Sequence, residues 1–203
     1  MSKQRKIILA SASQGRKNLL EKSGLEFSVE PSDYEEDMSL AVPPTELVKI
    51  LSQGKARAVA SKHNDAIVIG ADSVAVLGEK VLGKPEDSDD AERMLKELSG
   101  MMHTFTTGFT VIDTDSGKEV TDVSETKVFF KKLTDDEITG YVATGESVGH
   151  AGAYSIQQKG AMLVEKIEGE YTNIIGLPLA QLSSVLKEFG INTFLQEKIK
   201  AKA

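Results

Sequence analysis

The chain has 203 residues, 40% of them hydrophobic, with no cysteine and a formal net charge of −7. That size and apolar share allow a sizeable core, and the missing cysteine excludes a disulfide framework, a thiol nucleophile and a cysteine zinc site. The acidic balance, the 5% aromatic content and the lack of tryptophan argue against a duplex nucleic-acid partner or a base-stacking platform.

No apolar stretch approaches the roughly 20 residues that span a bilayer. The basic start, residues 1–6, is followed only by Ile7-Ile8-Leu9-Ala10, which is too short for a signal-peptide core. A cytoplasmic protein with neither a nucleic-acid nor a membrane partner is expected.

Residues 6–10 read as a short buried strand and Ser11-Ala12-Ser13-Gln14-Gly15 as a small polar loop. Residues 16–22 read as a helix, with Leu19 and Leu20 on one side and Ser23-Gly24 as its stop. Strand, small-residue loop and helix in that order present backbone N–H groups and a positive helix end to an anion. A second strand is expected at 26–29 and an acidic loop at 31–37. Pro43-Pro44-Thr45-Glu46 opens a helix to about residue 62, whose apolar face carries Leu47, Ile50, Leu51, Ala58 and Val59.

Residues 66–70 read as a core strand that turns at small residues, presents Asp72 and resumes over 74–77. Gly78-Glu79 then turns into a strand at 80–82. Ser88 is expected to cap a helix to residue 98, with Asp89 and Asp90 suiting its dipole and Leu98-Ser99-Gly100 ending it. Residues 102–113 and 119–131 read as an antiparallel hairpin joined by Asp115-Ser116-Gly117-Lys118. Thr134-Asp135-Asp136-Glu137 is a capping box opening a helix to about 143, followed by a glycine-containing loop at 145–153. Strands are expected at 154–157 and 161–167, a last helix from Pro178 to 189, and a charged, frayed tail over 196–203. The hairpin makes this a mixed α/β chain rather than a doubly wound parallel sheet.

Several places could carry chemistry. Asp72, between two apolar runs, and Lys84, twelve positions later between Gly83 and Pro85, suit a phosphate site with a divalent metal. The bland alternative is a buried strand with a turn aspartate. Ser11, Ser13 and Arg16 could hold phosphate oxygens; otherwise Ser13 is a helix cap and Arg16 a solvated first-turn residue. Tyr34-Glu35-Glu36-Asp37 offers oxygen ligands for magnesium or manganese, or is merely solvated. Lys55 and Arg57 suit a basic surface face. Gln157 could read a nucleobase edge or be a surface amide. No P-loop, dinucleotide fingerprint, H-E-x-x-H or G-x-S-x-G pattern is present, and His63, His103 and His150 lack ligand spacing.

Taken in order, these pieces resemble the Maf family of nucleoside triphosphate pyrophosphatases. The resemblance runs through Leu9-Ala10-Ser11-Ala12-Ser13 with Arg16, Glu36, Lys55-Ala56, Gly70-Ala71-Asp72-Ser73, Gly83-Lys84-Pro85, Met94-Leu95 with Leu98-Ser99-Gly100, and His103. It ends with Ala151 to Gln157 and Gly176-Leu177-Pro178-Leu179. It implies one domain over residues 1–203, with a mixed, twisted central sheet, flanking helices and two lobes about a cleft, like the inosine triphosphate pyrophosphatases. It implies metal-dependent hydrolysis of a nucleoside triphosphate to the monophosphate and pyrophosphate, with magnesium or manganese, often by a homodimer. In that reading Asp72 positions the water and Glu36 helps it hold the metal. Arg16, Lys55 and Lys84 hold the triphosphate, aided by Ser11 and Ser13, while Ser73 and Gln157 contact the nucleoside.

Gln157 and the hydroxyl after Asp72 are similar to the subgroup acting on dTTP and UTP. The usual S-x-S-P-R-R loop here has Gln14-Gly15 in place of Pro-Arg, and Ser73 stands in place of threonine. The competing readings are a nucleotide-binding regulator of septum formation with little turnover, and a general phosphatase or sugar-nucleotide enzyme.

Overall fold

In a computed structural model, which describes residues 5–194, the apolar run Ile7-Ile8-Leu9 forms the buried part of strand β1 (Lys6–Leu9). The remaining strands are β2 (Ser28–Val29), β3 (Ala66–Leu77), β4 (Lys80–Leu82), β5 (Met102–Asp113), β6 (Glu119–Phe130) and β7 (Val164–Glu168). The helices are α1 (Gln14–Lys22), α2 (Pro44–Ala60), α3 (Ser88–Leu98), α4 (Asp135–Val142), α5 (Tyr171–Ile175) and α6 (Leu179–Glu188). The strands form one seven-stranded sheet in the order β2-β1-β3-β5-β6-β7, with β4 paired to β3. Pairing is parallel for β1 with β2 and β3, and antiparallel for β3 with β4 and β6 with β7. The expected mixed sheet with flanking helices is therefore present. The tail expected over 196–203 lies outside the described residues.

The described chain forms two units. The first comprises residues up to Asp72 together with 107–124 and the segment from Gly176. Its core includes Ala56 and Val59 of α2 against Ile8, Ala10, Ala66, Val68 and Ile112. Two glycines let α2 lie close to the strands. A Cβ on Gly70 would come within 2.6 Å of the Ser52 carbonyl oxygen, and one on Gly108 within 2.4 Å of the Val48 carbonyl oxygen. Arg5 clamps the end of β5 with a two-pronged bond to Asp113, Nη1 to Oδ2 at 2.9 Å and Nη2 to Oδ1 at 2.5 Å. That guanidinium holds the Asp113 carboxyl well below the usual carboxylate range.

The second unit comprises residues 73–106 and 125–175. Ala91, Met94, Leu95 and Leu98 of α3 pack in one cluster with Ile138 and Tyr141 of α4 and with Phe105, Val128 and Phe130. Thr134 and Glu137 form the expected reciprocal capping box. His103 lies within this core, its Nε2 2.9 Å from the Tyr154 hydroxyl, and burial pulls its pKa down to about 4.

Several local expectations are corrected. Gly70-Ala71-Asp72-Ser73 makes no turn, since β3 runs unbroken through it; the small residues there answer to the closeness of α2. The cap of α3 is Asp87, whose side chain accepts from Asp90 N at 2.8 Å, rather than Ser88. Residues 154–157 are not a strand. Left-handed Gly152 (φ 71°) and Ala153 (φ 61°) turn the chain before them, and Tyr154 is pinned by His103. Residues 161–163 complete a 3-10 segment before β7, and only Ser28–Val29 of the strand expected at 26–29 pairs. The short α5 was not foreseen.

Candidate active site

The loop after β1 and the first turn of α1 are stitched by side chains. Ser13 caps the helix, its Oγ accepting from Arg16 N at 3.4 Å. Ser11 Oγ accepts from Ser13 N at 3.2 Å and from Arg16 Nη1 at 3.1 Å. Arg16 Nε donates to the Gly176 carbonyl at 2.8 Å. Arg16 is thus buried, not solvated, whereas the capping reading of Ser13 holds. Burial pushes the guanidinium pKa down, opposed by the carboxylates of Asp72 and Glu36. An arginine kept here faces a field of two nearby anions.

Those anions meet at Lys55. Its ammonium donates to Asp72 Oδ1, deep in β3, and lies 2.8 Å from Glu36 Oε1 on the acidic loop. Lys55 and Asp72 are both buried, while the Glu36 side chain is 44% exposed. The surface-face expectation fits Arg57, which is exposed and pairs with Glu119 at 2.8 Å, but not Lys55. Two steps along a helix turn the side chain through about 200°, so one residue reaches inward and the other outward.

The carboxylates also bear on a metal. Among the described residues no group of three or more His, Cys, Asp or Glu could hold an ion. Magnesium and manganese, however, commonly bind through one or two carboxylates plus substrate phosphate oxygens. Two carboxylates drawn to a single ammonium fit that donor set.

The second unit carries the other expected residues. Ser73, directly after Asp72 on β3, is half-buried. Lys84 is exposed, next to Gly83, whose carbonyl accepts from Gly152 N at 3.0 Å. Gln157 is exposed on the turn after the pinned Tyr154. Six of the nine expected residues, Ser11, Ser13, Arg16, Glu36, Lys55 and Asp72, therefore lie in the first unit, linked by direct bonds or by their fields. Sequence reasoning named Tyr34 only as part of the acidic loop and Gly176 only ahead of the last helix, and missed that the Tyr34 ring rests on Gly54 and that the Gly176 carbonyl holds Arg16. A lone aromatic in an acidic loop was the available sign of the first; a backbone carbonyl leaves none.

The Maf-like protein family model matches residues 6–189. A dTTP/UTP pyrophosphatase from Thermoanaerobacter sp. (strain X514) is 50% identical over 188 residues, covering 92% of this chain and 98% of that protein. Another from Methanosarcina barkeri is 46% identical over 191 residues, covering 94% and 97%. Among solved structures, the Staphylococcus aureus Ham1 protein matches with a TM-score of 0.53 at 14% identity, covering 91% of this chain and 99% of that one. A HAM1 protein from Coxiella burnetii matches with a TM-score of 0.51 at 15% identity, covering 91% and 100%. These structural likenesses concern the fold alone and agree with the inosine triphosphate pyrophosphatase-like architecture expected. With a family model spanning most of its length and relatives at this identity, the chain belongs to the Maf family.

Proposed function

We propose that this chain is a nucleoside triphosphate pyrophosphatase, acting as a single domain. It hydrolyses dTTP, UTP or a modified pyrimidine nucleotide to the monophosphate and pyrophosphate. The observation that carries this reading is the buried Lys55 ammonium gathering Asp72 and Glu36, with Arg16 buried in their field. The names of the dTTP/UTP pyrophosphatase relatives, at 46–50% identity, support the substrate class.

Attack at the α-phosphorus requires an oriented water, neutralised phosphate charge and a stabilised leaving group. Asp72 orients the water and accepts its proton at a carboxylate oxygen. A divalent cation held by Glu36 and Asp72, when bound, supplies further neutralisation of the phosphate oxygens. Lys55 exchanges a carboxylate partner for phosphate oxygens as the triphosphate arrives. Arg16 and Lys84 share the remaining charge, and the Ser11 and Ser13 hydroxyls donate to it. Ser73 and Gln157 contact the nucleoside.

The test is a nucleotide panel with magnesium or manganese, scoring monophosphate, pyrophosphate and orthophosphate separately. Pyrophosphate release that Asp72→Asn abolishes is the expected result. Orthophosphate release would make the chain a general phosphatase, and binding without release would make it a regulator.

A further inference from the structure

We propose that Tyr34, seated against the bare backbone of Gly54, is a positioning residue that delivers Glu36 to Lys55; this rests on the reading of Glu36 as a metal-holding carboxylate. Around Tyr34 the acidic loop is exposed at Asp33, Glu35, Glu36 and Asp37, while Tyr34 itself is half-buried. Its ring fills the place where any other side chain at position 54 would begin. A Cβ there would lie 2.3 Å from Tyr34 Cζ, 2.4 Å from Cε2 and 2.6 Å from Cε1.

The geometry joins two neighbouring pairs. One step along α2 from Gly54 is Lys55, and two steps along the loop from Tyr34 is Glu36, whose carboxylate lies 2.8 Å from Lys55 Nζ. The loop has another tie just past the end of α2, Asp33 to Lys62 at 3.0 Å. Both of its side chains are largely exposed, so it holds the loop weakly. Glu30, just before the loop, meets His63 at 2.6 Å, also past the helix end, so the Tyr34 ring is what sets the loop against α2 beside Lys55. Glycine weakens a helix interior, and Gly140 of α4, where a Cβ would meet nothing within 4 Å, shows a helical glycine without such a packing role. At Gly54 the missing side chain makes room for Tyr34.

The Gly54→Ala variant reaches this contact without touching a charged group. The atoms its methyl meets are the far end of a side chain that can swing away, so α2 survives and the ring is displaced. Gly54→Ala, Tyr34→Ala, their combination, Tyr34→Phe and Glu36→Gln would be compared in two ways. Amide hydrogen exchange over residues 31–40 is read on the metal-free protein, and pyrophosphate release is read against manganese concentration.

Gly54→Ala and Tyr34→Ala should each speed exchange at residues 34–37 and raise the manganese needed for half-maximal rate about tenfold. The combination should be no worse than the poorer single variant, since both remove one contact. Tyr34→Phe keeps the ring and should match the parent. Parental exchange and manganese dependence in folded Gly54→Ala or Tyr34→Ala would overturn the proposal, as would strictly additive losses. Glu36→Gln separates the two claims. If it leaves manganese dependence untouched, the metal reading of Glu36 fails. If it is impaired while Gly54→Ala and Tyr34→Ala are not, the positioning role fails.

Discussion

The ammonium of Lys55 binds Asp72 and Glu36 together, so one helix residue neutralises a carboxylate from a strand and another from a loop. Lys55→Met leaves the buried Asp72 carboxylate without its nearest cation and should destabilise the protein by about 3 kcal/mol in urea unfolding. Adding Asp72→Asn removes the stranded charge and should restore roughly 1–3 kcal/mol of that loss. A double variant no more stable than Lys55→Met would show that the pair is not coupled.

Close packing of α2 sets a second expectation. Gly70→Ala and Gly108→Ala place a methyl against helix backbone, which cannot swing aside as a side-chain tip can. Each should cost about 1–3 kcal/mol of stability. Gly140→Ala, in a helix with open space around it, should instead stabilise by about 0.5–1 kcal/mol. Thermal unfolding of the three variants reads opposite signs from one chemical change.

His103 should give the protein a pH-dependent stability. Its folded pKa of about 4 lies below the unfolded value near 6.5, so acid favours the unfolded, protonated form. Stability present above pH ~6.5 is lost as pH falls toward about 4, by an amount on the order of 3 kcal/mol. His103→Phe removes this slope at the cost of an unsatisfied Tyr154 hydroxyl, about 1–3 kcal/mol at neutral pH. Urea unfolding between pH 4 and 7 checks it: parallel curves for parent and variant would contradict the expectation.

A separate acid response belongs to Asp113, held ionised by Arg5. Its folded pKa is depressed, so the contribution is full above the ordinary carboxylate value near 3.9 and disappears as pH falls through the lower folded value. Arg5→Met should lower stability by about 1.5–3 kcal/mol at pH 7. The difference from the parent should shrink below pH ~3. An equal difference at pH 7 and pH 2 would assign the effect to lost packing of the arginine stem.

Features encoded by neighbouring residues were legible. The apolar run of β1, the capping box at Thr134 and the turn between β5 and β6 each have a local cause, and the structure contains them. Features set by distant partners were not. Gly70 to Ser73 looks like a turn until α2 is seen lying over Gly70, and Lys55 looks like Arg57 until the helix is given its phase. Residues 154–157 carry a strand-like pattern, but the backbone at Gly152 and Ala153 redirects them first. In the candidate site, Ser11, Ser13 and Arg16 were legible as a strand–helix junction. The gathering of Glu36, Lys55 and Asp72 was expected only through the resemblance, because loop, helix and strand meet there.

Asp72 stands inside a twelve-residue strand, whereas Glu36 stands on an exposed loop. Under the proposed function the two carboxylates would work like a vice with one jaw built into the sheet and the other carried on a loop. A change in the size of what they grip would then be taken up on the Glu36 side, while the direction in which Asp72 points is built into the sheet.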